Sequence, residues 1–163
     1  MAIVAACLFG ITTLGITYQD FTRRAIHVLL LVVLLGLGIW DAIRLDRSVT
    51  EMLFSLSFVA TILTFMTLYL RLKAGYWVNP LLQHLGLGDV LFFIAIIPLF
   101  NPHGYMWFFS TGLLGCLLVY FLLKSRIGKE SIPLAGMLSA YLLGLKILDA
   151  QLGVSVFNLT ITG

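Results

Sequence analysis

The sequence predicts an all-α, polytopic integral membrane protein: a six-transmembrane-helix bundle forming one domain over residues 1–163. Three observations carry that prediction. The chain is 61% hydrophobic and only 10% charged, with a mean hydropathy of +1.08, whereas a water-soluble domain is nearer half apolar and a quarter charged. The apolar residues gather into six segments separated by polar connectors. Lys and Arg concentrate in alternate connectors, as a chain threaded back and forth through a membrane requires.

The segments cover about 2–19, 25–41, 52–70, 89–100, 105–123 and 131–148. A helix crosses the hydrocarbon core in about 20 residues, so a chain of this length has room for six crossings. The first segment lacks the basic region and cleavage site of a removable signal peptide, and is read as a retained span. The third ("SLSFVATILTFMT") and the last carry scattered Ser and Thr, whose hydroxyls are expected to bond their own helix backbone. The fourth is short: Val90 to Phe100 is 11 residues, or roughly 16 Å of helix. Either its helix starts upstream near Leu81, or protein and water complete the crossing. Pro98 is a kink candidate there. Before it, Tyr76 and Trp77 read as interfacial anchors and "VNPLLQHLGLG" as a short helix on the membrane surface. "NPHG" before the fifth segment reads as a turn.

Connectors one, three and five carry seven of the ten Lys and Arg: Arg23, Arg24, Arg71, Lys73, Lys124, Arg126 and Lys129. The opposite side carries Arg44, Arg47 and Lys146. The positive-inside rule then puts the odd connectors in the cytoplasm and both termini outside, in a cell (inner) membrane. The net charge of +3 is too small and dispersed for nucleic-acid binding. Cys7 and Cys116 each stand alone in an apolar run and read as small core residues.

Two acids fall at span ends on the predicted cytoplasmic side, Asp20 in "ITYQDFTRRAIH" and Asp89 in "GLGDVLFF". Carboxylates submerged in membrane protein are costly and are functional candidates by default. Each has a plain structural reading. Asp20 can pair with Arg23 or Arg24, and Asp89 can be an N-cap. Neither reading accounts for both Gly86 and Gly88, which permit unusual backbone angles and close approach of another chain. Two carboxylates that meet can share one proton, the ionised one activating a water and its protonated partner polarising a carbonyl. His27, seven residues after Asp20, would share its face if one helix continued through both. A metal site from His84, Asp89 and Asp20 lacks ligand spacing, and no metal is expected.

Taken together, "YQDFTRRAIH", "GLGD" and "SIPLAGMLSAYLLG" resemble the type IV prepilin peptidase family of membrane-embedded aspartic proteases. In that family an early Asp stands in a pattern like D-x-x-x-x-x-I-P, a second in G-x-G-D, and a late segment is like I-P-[FL]-[GA]-P. The resemblance covers about residues 11 to 147. It implies an aspartic-type endopeptidase that cleaves the leader of pilin-like precursor proteins at the cytoplasmic face. Asp20 and Asp89 would be the catalytic pair, Gly86 and Gly88 would shape the loop presenting Asp89, and Pro133 would belong to the late segment beside the substrate. Ile132, Leu134, Ala135 and Gly136 complete that segment, whose small residues suit close helix packing. The implied partners are pilin-like precursors and membrane lipids, with no cofactor. The paired C-x-x-C insert of larger members is missing, so cleavage without N-methylation is expected. His27 stands where members often carry Pro, and Leu91 where they often carry Lys.

Rival readings are a presenilin- or signal-peptide-peptidase-type protease, a proton-coupled small membrane transporter, and an inactive G-x-G-D scaffold. The first is longer and has a P-A-L motif where this chain has "IPLAG". A transporter would more often show inverted repeats, and none is seen.

Overall fold

A computed structural model describes residues 2–74, 86–123 and 133–152. Tyr76, Trp77, His84, the proposed start near Leu81, the fifth-connector charges and Ile132 lie outside the described residues, as does most of the proposed surface helix. The described chain is all-helical. Its helices are α1 (Ala2–Arg23), α2 (Val28–Arg44), α3 (Val49–Ala74), α4 (Leu87–Ala95), α5 (Pro102–Leu123) and α6 (Leu134–Leu152), with a 3₁₀ turn at Ile97–Leu99. Two stretches, Val49–Lys73 and Pro102–Leu122, are long and apolar enough to cross a membrane.

The helix ends follow from local chemistry. α1 runs four residues past the expected boundary and stops where Arg24 turns left-handed (φ 50°), its N–H donating to the Asp20 carbonyl at 3.1 Å. α2 starts at Val28 rather than 25, because His27 is its N-cap and accepts the Leu29 N–H on Nδ1. His27 is therefore not on Asp20's helix, and the expected shared face does not exist. α2 ends in a Schellman motif with Asp46 left-handed, Arg47 N–H donating to Ala42 O and Asp46 N–H to Ile43 O. Ser48 caps α3 through the Thr50 N–H. "NPHG" is no free turn: Asn101 Oδ1 accepts the Gly104 N–H at 2.8 Å and Pro102 opens α5.

α1 and α6 form the central pair. Phe9, Ile16, Leu31, Leu34, Leu138 and Leu142 belong to the core around them. α4 supplies Phe92, Phe93 and Ala95, then breaks into the 3₁₀ turn. Pro98 has no N–H for a helical bond and its ring crowds the preceding turn. Gly38 lets α2 cross there, since a Cβ on it would lie 3.3 Å from Pro98 Cβ. The Tyr105 hydroxyl, fully buried, donates to the Phe93 carbonyl at 3.0 Å. α3 is the most loosely held long helix, and Ser55, Ser57, Thr61, Thr64 and Thr67 bond back to its own carbonyls as expected. Cys116 is buried, but Cys7 is exposed on α1, against the expectation of a core residue.

Candidate functional site

The first turn of α6 organises the site. A helix leaves its first N–H groups without intrahelical partners. Its opening residues, "PLAG", carry no side-chain acceptor to serve as a cap. Acids from two other helices fill that role. Asp89 Oδ1 accepts the Ala135 N–H at 3.0 Å, and Asp20 Oδ2 accepts the Gly136 N–H at 2.5 Å. Adjacent peptide amides thus hold the two carboxyl groups, and their charges act on each other directly.

Each acid is positioned by its own element. Asp20 stands in the last turn of α1 and is only 6% exposed. Arg24 also acts on it electrostatically, so the expected Arg contribution accompanies the α6 contact rather than replacing it. Asp89 is at the third position of α4, within its first turn, and is not the N-cap. Gly86 holds that place, its N–H donating to Asp89 Oδ2 at 3.2 Å. Glycine has no side chain to return a bond, so this is half of a capping box. Because Gly86 is extended, α4 begins at Leu87, and a continuous helix from Leu81 does not reach Asp89.

Neither motif glycine uses left-handed freedom; Gly86 has φ −64° and Gly88 lies within α4. Their value is space. A Cβ on Gly86 would sit 3.1 Å from Asp89 Oδ2, and one on Gly88 would sit 3.3 Å from Ile26 Cδ1. The G-x-G-D turn therefore rests on the stretch that follows Asp20. Gly136 is tighter: a Cβ would lie 3.0 Å from both Cβ and Oδ2 of Asp20. Pro133 is the residue before α6, and its carbonyl accepts the Met137 N–H at 3.1 Å.

Behind the acids, half-buried Thr17 meets buried Ser139, a hydroxyl contact between α1 and α6 that sequence reasoning missed. Thr17 Oγ1 and Ser139 Oγ are 2.6 Å apart, and Ser139 also donates to the Gly136 carbonyl at 3.0 Å. Thr17 stands three residues before Asp20 and Ser139 three after Gly136, a spacing that puts each on its partner's helix face. That periodicity was the available signal. Among the described residues, no group of three His, Cys, Asp or Glu side chains comes together to hold a metal ion. The prominent cavity lies elsewhere, toward the start of α1 and the ends of α2 and α6.

Fold and site together define an all-helical protein in which two acids from separate helices converge on the N-terminus of a third. No protein-family model, curated protein or solved structure matches the chain.

Proposed function

We propose that the chain is a membrane aspartic endopeptidase with Asp20 and Asp89 as its catalytic pair. The observation that carries this reading is the seating of both carboxyl groups on the adjacent amides of Ala135 and Gly136. Two acids so placed share a proton at intermediate pH. The ionised carboxylate takes a proton from a water, and the water oxygen attacks the scissile carbonyl carbon. The protonated carboxyl gives its proton to the carbonyl oxygen, forming a tetrahedral diol. The C–N bond then breaks as one carboxyl group protonates the leaving amine and the other recovers a proton from the diol. The resemblance to type IV prepilin peptidases narrows the substrate to a pilin-like precursor, cut at its leader junction.

We place the protein in the cell membrane as a six-span bundle, with both acids toward the cytoplasm. Supporting this are the two helices of spanning length and the apolar outer surface of the others. Val4, Ile11, Val32, Ile43 and Ile147 are all exposed, an arrangement that water would penalise and lipid would not. The crossing at α4 is completed by packing: Phe92, Phe93, Ile96 and Phe100 are buried in protein rather than facing outward.

One observation favours a second reading. Both acids cap α6, a structural service that needs no chemistry. Asn separates the two, because its side-chain oxygen caps a helix about as well as Asp does but cannot exchange a proton. Purified protein in detergent would be incubated with a pilin-like precursor. Asp20→Asn should keep the thermal unfolding midpoint near wild type, Asp89→Asn should lower it slightly because one amide oxygen cannot accept both the Ala135 and the Gly86 N–H, and each should reduce cleavage by at least about a hundredfold. Equal cleavage by wild type and both variants would leave only the capping role.

A further inference from the structure

Away from the two acids, α1, α2 and α6 line a half-open cavity of about 420 Å³. Ligand sites run from roughly 300 to 1,000 Å³. Phe9, Trp40, Leu143 and Ile147 give it apolar walls. Its charges come as two matched pairs. Asp41 and Arg44 are three residues apart on α2, and Lys146 and Asp149 three apart on α6, so each pair shares a helix face. The inner members meet: Lys146 Nζ lies 3.5 Å from Asp41 Oδ2. It also lies 5.9 Å from the centre of the Phe9 ring. Each outer member is one turn nearer its helix end. Among the described residues, Arg44 and Asp149 form no ion pair with each other.

The four charges sum to zero, and the outer two offer one cation and one anion beside apolar walls. That pattern complements a zwitterion carrying a hydrocarbon tail. We propose that the cavity binds an ethanolamine phospholipid, Arg44 holding the phosphate and Asp149 accepting N–H bonds from the ammonium. A guanidinium suits phosphate oxygens by its forked donors. An anionic glycerol headgroup would bring no cation to Asp149. A choline headgroup carries the charge but has no N–H to donate. The site is separate from the peptidase reading and does not depend on it.

The test is native mass spectrometry on the delipidated full-length protein. It would be offered an equimolar mixture of ethanolamine, choline and glycerol phospholipids with identical acyl chains. Ethanolamine lipid should be retained at least about threefold over each of the others. Arg44→Gln should lower retention about two- to fivefold, while Arg44→Lys keeps most of it. Asp149→Leu, which removes the acceptor together with the charge, should abolish the preference for ethanolamine over choline. That preference is a ratio within one sample, so it does not depend on how much protein is folded. Equal retention of the three lipids, or an unchanged preference in Asp149→Leu, overturns the proposal. Full displacement by glycerophosphoethanolamine, which has no acyl chains, would overturn the lipid assignment in favour of a soluble zwitterion.

Discussion

A methyl group added at Gly136 would sit 3.0 Å from both Cβ and Oδ2 of Asp20, well inside the 3.5–4.0 Å at which carbon atoms attract. Gly136→Ala must therefore displace Asp20 by a few tenths of an ångström from its place on the amide, although alanine is the better helix former. Cleavage should fall by about tenfold or more while helical content is unchanged. Gly115→Ala is the control, since nothing lies within 4 Å of its added Cβ. Unchanged turnover in Gly136→Ala would mean that Asp20's place does not matter to the chemistry. The shared proton makes a second prediction. The rate should fall toward acid, where the base carboxylate is protonated, and toward alkali, where the shared proton is lost. A pH–rate profile with a single limb would argue against a dyad. Asp20 and Asp89 were legible because an acid in an apolar run has few uses. Their seats were not: a backbone N–H has no letter in a sequence, and Ala135 and Gly136 read as mere small residues. Leu91 was legible only as a departure. Its side chain packs against the core, which gives leucine a structural reason to stand there.

Among the elements, α4 departs furthest from an ordinary span. Nine residues make roughly 14 Å of helix before Pro98 ends it. The Tyr105 hydroxyl then secures this element to α5 through the Phe93 carbonyl. Tyr105→Phe keeps the ring and its edge contacts with Phe58 and Phe100 but removes that bond. The expected cost is about 1 kcal/mol, read as a lower midpoint in denaturant. No change would show that the hydroxyl adds nothing to the net stability. The sequence placed the six described α-helices because hydrophobic runs are a strong signal. It placed their ends less well, for identifiable reasons. Arg24 and Asp46 terminate helices in left-handed geometry without being glycine, so neither carries the usual mark of a stop. His27 is an uncommon cap, and its register moved the start of α2 by three residues. Asn101–Pro102 was a readable start signal, an N-cap followed by Pro, taken for a turn.

For the molecule as a whole, the orientation follows from where the cations are and how they are engaged. Seven of ten Lys and Arg fall in the odd connectors. On the other side, Lys146 is paired with Asp41, and Arg47 donates to the Pro98 carbonyl at 2.8 Å. The positive-inside rule counts basic residues rather than net charge, and the seven-to-three bias is what supports the proposal that the odd connectors lie inside. The proposed orientation would put the acids where a leader emerging in the cytoplasm would meet them, so the proposed topology and chemistry stand or fall together. The test is single-cysteine labelling in intact cells, in a Cys7→Ser, Cys116→Ser background. A membrane-impermeant maleimide should label Asp46→Cys in the second connector at once. Arg23→Cys in the first should label only after the membrane is opened. The reverse pattern would put Asp20 and Asp89 outside, remove the leader from their reach, and overturn the cytoplasmic peptidase reading even if the two carboxylates share a proton.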